Sequence, residues 1–168
     1  LIITGLRESH PVIAVSRTQE AQSRFIFLTK DTLHIFNPHT KIYAQKRISN
    51  ASQKLITPGT LVAAGAREFF VVSPSGTIAR APLAGTAAIS LKKVPLPKPL
   101  RAVIWRGATI LNSSLYLLSD DMRILRLVGE KFISDTPLAL AEPLGNAARL
   151  QAVEASKRLA ILDSEHNR

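Results

Sequence analysis

The chain has 168 residues, 22 of them Lys or Arg, 12 Asp or Glu and none Cys, a length that can bury the core of one ordinary domain. The lack of Cys excludes a disulfide scaffold, a thiolate zinc site and a Cys nucleophile, and 46% hydrophobic residues exclude a chain disordered throughout. The formal charge of +10 sits in one stretch: residues 41–106 hold eleven bases and a single acid, Glu68, while the remainder is balanced.

In chain order, residues 1–4 read as the last strand of a preceding unit, and the start at Leu1 rather than Met points to a true N-terminus further upstream. An apolar segment at 11–15 is followed by Phe25-Ile26-Phe27-Leu28, a turn at Thr29-Lys30-Asp31, and a second strand at 32–36. Asn37-Pro38-His39-Thr40 is a turn by composition, and 41–48 completes a four-strand unit. The order then recurs. Segment 61–64 precedes Phe69-Phe70-Val71-Val72, the turn Ser73-Pro74-Ser75-Gly76 and strand 77–80. Segment 106–111 precedes Tyr116-Leu117-Leu118, the turn at Asp120-Asp121 and strand 122–127. Segment 150–153 precedes Leu159-Ala160-Ile161-Leu162. Each pair of strands about a polar turn is a hairpin signal. Pro95, Pro97 and Pro99 mark 94–100 as an extended connector, and Pro137, Pro143 and Gly145 mark a second connection at 134–146.

The last apolar residues before the turns are Leu28, Val72, Leu118 and Leu162, at steps of 44, 46 and 44. A period near 44 with four short strands per unit is the signature of a propeller blade. In this pattern the chain resembles the WD-repeat-like β-propeller superfamily over most of 11–168. The superfamily's Gly-His pair and Trp-Asp dipeptide are absent; Ile35-Phe36-Asn37 and Ala79-Arg80-Ala81 stand where Trp-Asp would end a third strand. The expected fold is therefore all-β: a propeller segment of about three and a half degenerate four-stranded blades, held mainly by apolar packing and belonging to a larger or assembled propeller. Residues 1–10 would end a preceding blade; 11–48, 60–91 and 101–133 would be blades; 148–168 would begin another. A β-sandwich is the competing fold, and the period argues against it. Phe27, Leu28, Val71, Val72, Leu117, Leu118, Ile161 and Leu162 are expected to be buried between sheets.

No catalytic set emerges. His10, His34, His39 and His166 lack the paired spacing of zinc enzymes, and His34 and His39 read as structural. Asp120 and Asp121 are adjacent, so in a strand they would face opposite ways; as turn residues they cap backbone amides. Asn112-Ser113-Ser114 has no neighbouring base in sequence, and the scattered glycines form no phosphate loop. Neither a metal nor a cofactor is expected. No run of about 18 apolar residues is present, so no membrane span is expected, and the lack of Cys fits a reducing, intracellular compartment, cytoplasmic or nuclear.

Three functions compete. The first is a non-enzymatic scaffold that mediates protein–protein contacts within a multiprotein complex, an inference from fold by analogy. Its interaction surface would be a basic rim of Lys46, Arg47, Lys54, Lys92, Lys93, Lys98 and Arg101, suited to other protein subunits or an acidic protein surface. The alternative is an RNA-associated scaffold of a ribonucleoprotein or ribosome-assembly particle that uses the basic 41–106 stretch. With 5% aromatic residues, such binding would rest on phosphates rather than base stacking. The third is an enzyme with its site in a central funnel.

Overall fold

The computed structural model describes residues 11–18, 23–85, 88–101, 103–121, 123–129, 131–134 and 149–163. The first sheet joins β1 (Ala14–Arg17), β2 (Phe25–Leu28), β3 (Thr32–Asn37) and β4 (Ile42–Arg47) in chain order. A single helical turn, α1 (Asn50–Gln53), leads to the second sheet: β5 (Leu61–Ala64), β6 (Glu68–Val72), β7 (Ile78–Pro82) and β8 (Lys92–Lys93). The third holds β9 (Trp105–Leu111), β10 (Ser114–Ser119), β11 (Ile124–Val128) and β12 (Lys131–Ser134). A two-stranded sheet of β13 (Arg149–Val153) and β14 (Arg158–Leu162) follows. All strand pairs within the sheets are antiparallel.

The first strands of successive sheets are neighbours, β1 beside β5, β5 beside β9 and β9 beside β13. Sheets that stack face to face around a shared line of first strands are the blades of a β-propeller. The three expected hairpins are present, with Ile26 opposite Ile35, Val71 opposite Ala79 and Leu117 opposite Leu125. The fourth repeat appears as Leu150 opposite Ile161.

Alternation along the strands explains how the sheets stack. In the second sheet, Val62, Ala64, Phe69, Val71, Ala79 and Ala81 pack against Ile26, Leu28, Leu33 and Ile35 of the first. The opposite face, with Ala63, Phe70, Val72 and Ile78, packs against Ile110, Leu115, Leu117, Leu125 and Leu127 of the third. A sheet covered on both faces needs apolar residues at successive positions, and that is why 69–72 and 115–118 read as continuous apolar runs. Leu118 and Ile124 of the third sheet then meet Leu150.

The same alternation corrects part of the expected core. Leu28, Val71, Val72, Leu117 and Leu118 are buried, but Phe27 and Ile161 are only half-buried and Leu162 is 57% exposed. Phe27 sits on the face of the first sheet turned from the second, and Leu162 on the face of β14 turned from the third. The Pro-rich connector also differs. It is extended only to Pro97 and then turns through a 3-10 helix at Lys98–Leu100, because Pro is tolerated in a first helical turn. Its ends are anchored by buried Val94 and Leu100. The expected strand at 1–4, the connection at 135–146, His10 and His166 lie outside the described residues.

Hydrogen bonds supplement apolar packing between sheets. The backbone of Arg47 and Ser49 exchanges two bonds with Ile89, and the Ser52 hydroxyl accepts the Leu91 amide at 2.8 Å. Arg24 donates to the Ala66 carbonyl at 2.9 Å, and Trp105 Nε1 donates to the Gly76 carbonyl at 3.3 Å. Gly76 adopts φ +84°, and a Cβ there would lie 3.1 Å from the Val103 carbonyl, so the turn needs glycine for both conformation and space.

Candidate functional site

An up-and-down sheet puts its second-to-third-strand turn on the same rim as the connection leaving its fourth strand. Here the Ile48 amide donates to Asp31 in the β2–β3 turn, and the Asp120 amide of the β10–β11 turn donates to Ile104 ahead of β9. One rim therefore gathers residues 29–31, 48–60, 73–77, 94–101, 103–104 and 120–121.

The expected basic residues distribute unevenly. Lys54 flanks α1, while Lys98 and Arg101 begin and follow the 3-10 turn; all three are exposed on this rim. Arg47, at the end of β4, is exposed as the chain reaches the rim. Lys92 and Lys93 are exposed on β8, opposite Arg80 and Ala79 respectively, and as adjacent strand residues they face opposite sides. Lys46 is structurally engaged: its ammonium donates to the Leu83 and Gly85 carbonyls, the latter at 2.6 Å, and so clamps the β7–β8 connection to the first sheet. Glu68, the one acid of the basic stretch, lies 4.0 Å from Arg80 on the neighbouring strand.

Lys30 joins this rim from the β2–β3 turn. It precedes the basic stretch, so charge counting passed over it. Lys30 and Lys54 frame a groove of about 580 Å³ lined by Pro11, Ile13, Ile56 and Pro58, with Gln53 and Thr57 at its edges. Apolar Ile56 and Pro58 among the polar Gln53, Lys54 and Thr57 are the one sequence trace of this groove, and they do not reveal that Pro11 and Ile13 form its other wall.

The titratable groups with shifted behaviour serve the frame. His34 is buried; its ring stacks on Tyr43 at 5.9 Å, and Nδ1 meets the Tyr43 hydroxyl. Burial lowers the His34 pKa, Asp31 opposing it, and burial raises that of Tyr43. Asp121 receives hydrogen bonds from Arg123 and from the Ser119 hydroxyl, which hold its carboxyl below the usual range. The adjacent carboxylates are thus turn residues, with Asp121 satisfied by side chains more than by backbone amides. The Asn37 side chain caps the His39 and Thr40 amides at 2.9 and 3.2 Å, as the turn composition implied. Among the described residues, no three His, Asp or Glu side chains are grouped to hold a metal ion, and no helix is long and apolar enough to cross a membrane.

This architecture defines a β-propeller-type protein, and solved structures share it. The chain is similar to YjhT at 13% identity and TM-score 0.55, covering 79% of this chain and 44% of that one. It is similar to BamB from Moraxella catarrhalis at 13% identity and TM-score 0.53, covering 92% and 42%. It is also similar to BBS1N, solved in complex with ARL6DN, at 12% identity and TM-score 0.57, covering 95% and 51%. The chain thus spans about half the length, or less, of the solved propellers it matches. No family model and no curated protein matches it.

Proposed function

We propose that this propeller segment is a non-enzymatic scaffold that docks protein subunits of a complex on its basic rim. The carrying observation is the rim groove, an apolar trough framed by two lysines. Its described lining residues carry no aromatic ring to stack a base and suit an aliphatic side chain, while Lys30 and Lys54 suit flanking carboxylates. That combination favours an acidic protein segment over RNA. Arg47, Lys92, Lys93, Lys98 and Arg101 extend the same positive field, while Lys46 holds the β7–β8 connection to the first sheet. The solved complex of the similar BBS1N with ARL6DN supports a protein partner for this fold. Membership of the WD-repeat-like superfamily and an intracellular location belong to the same proposal.

The test is co-purification of the full-length chain with its native subunits. Lys30→Glu combined with Lys54→Glu should weaken that association at least about tenfold, and more at low salt, where screening is least. Association indifferent to both the substitutions and ionic strength overturns the reading. So does a gel shift with poly(U) RNA that is stronger than subunit binding and lost in the same variant.

A further inference from the structure

We infer that Thr57 is a phosphorylation site, and that its phosphate closes the rim groove by engaging Lys30 and Lys54. The modification stands apart from the proposed docking function; only its consequence, release of an acidic partner, rests on that reading.

Among the described residues, two hydroxyl side chains directly precede a proline: Thr57 before Pro58 and Ser73 before Pro74. A proline holds the residue before it out of the helical region, which suits a proline-directed kinase that takes its acceptor in an extended segment. The structure separates the two sites. Ser73 is 7% exposed; its hydroxyl meets that of Ser75 at 2.8 Å and accepts the Thr77 amide at 3.2 Å, so it belongs to the β6–β7 turn. Thr57 is exposed, as are Pro58 and Gly59 after it.

The local fold does not need the Thr57 hydroxyl. The Thr60 amide donates to the Thr57 carbonyl at 3.0 Å, and the Thr57 amide donates to the Thr60 hydroxyl at 3.0 Å. Pro58 and Gly59, the latter at φ +84°, fill the two central places of this four-residue turn. Thr57 Oγ1 itself has no hydrogen-bond partner among the described residues, so a phosphoryl group there displaces no internal bond.

Thr57, Lys30 and Lys54 line the same groove. Both lysines are exposed, and neither ammonium is hydrogen-bonded or ion-paired among the described residues. A phosphothreonine carries a charge of about −1.5 to −2 at pH 7 and three acceptor oxygens. That matches two ammonium groups, each with three donors. The charge framing the groove falls from two positive to about zero, and the phosphate stands at the edge of the apolar trough. An acidic segment then loses both its attraction and its room.

In the transfer, a bond forms between Thr57 Oγ1 and the γ-phosphorus of a nucleoside triphosphate held by a separate kinase. The bond from that phosphorus to the β,γ-bridging oxygen breaks, and the nucleoside diphosphate leaves with its electron pair. The hydroxyl proton passes to the general base of the kinase.

The test incubates the full-length chain with a proline-directed serine/threonine kinase, ATP and Mg2+, and maps the product by tandem mass spectrometry. Phosphate on Thr57 and none on Ser73 is expected. Thr57→Val should abolish it and Thr57→Ser should retain it. By phosphorus NMR the phosphate should titrate below about pH 6, its usual second ionisation, and Lys30→Gln combined with Lys54→Gln should return it to about pH 6. The phosphorylated chain should bind its native subunits at least about tenfold more weakly. Absence of phosphate at Thr57 overturns the inference, and so does a titration that the lysine substitutions leave unmoved. A phosphate that forms and responds to the lysines while subunit binding stays unchanged upholds the inference and overturns the docking function instead.

Discussion

The Ser52 hydroxyl accepts the Leu91 amide at 2.8 Å across 39 positions of sequence, and Ser52 is 3% exposed. The short helix after the first sheet thereby holds the strand-like segment that precedes β8. Removing the hydroxyl would strand a buried N–H. Ser52→Ala should cost about 1–3 kcal/mol in chemical denaturation. An unchanged midpoint would show that this contact contributes nothing to sheet docking.

Leu118 and Leu162 hold equivalent places in the repeat but not in the core. Leu118 is fully buried, facing Ile124 and Leu150, and Leu118→Ala should cost about 2–5 kcal/mol. Leu162→Ala should cost under about 1 kcal/mol, because its side chain already meets solvent. Equal losses in the two thermal melts would contradict the facing assigned to β14.

Gly107 tolerates no side chain, given the 2.7 Å approach to Leu150. Gly107→Ala should push β13 from β9 and cost about 1–3 kcal/mol through overpacking. Amide exchange of residues 149–153 should quicken while that of 69–72 stays slow. Protection unchanged at Leu150 and Ala152 would refute the close approach.

His34 makes stability depend on mildly acid pH. Its folded pKa is lowered by burial, so below about pH 6.5 the unfolded chain takes up a proton that the folded protein resists. Stability is full above that pH and falls as pH drops through it toward the lowered folded value. His34→Gln should flatten the melting temperature between about pH 7 and 5. A profile identical to the unsubstituted protein would show that His34 does not titrate differently on unfolding.

The repeat was legible because each blade needs the same apolar run before the same kind of turn; Leu28, Val72 and Leu118 mark it without any Trp-Asp signature. What spacing alone conceals is which face of a strand a neighbour covers. Leu162 and Leu118 look alike in sequence and differ because, among the described residues, β14 is covered on one face. Charge counting found Lys54, Lys98 and Arg101 but could not tell that Lys46 turns inward to two carbonyls. Nor could the count of bases, which includes Arg106, tell that a register shift between Leu118 and Ser119 makes it an extra residue on β9.

The apolar clusters between sheets have a directional consequence. Each sheet couples only to its neighbours, and among the described residues the cluster joining the first two sheets is far richer than the one around Leu118, Ile124 and Leu150. In such a one-dimensional array, loss of structure starts at the weakest junction and advances sheet by sheet. Among the described sheets, the β13–β14 hairpin should open before the first and second. Within them, amide protection around Leu118, Ile124 and Leu150 should then be lost before that around Ile26, Leu33, Phe69 and Val71.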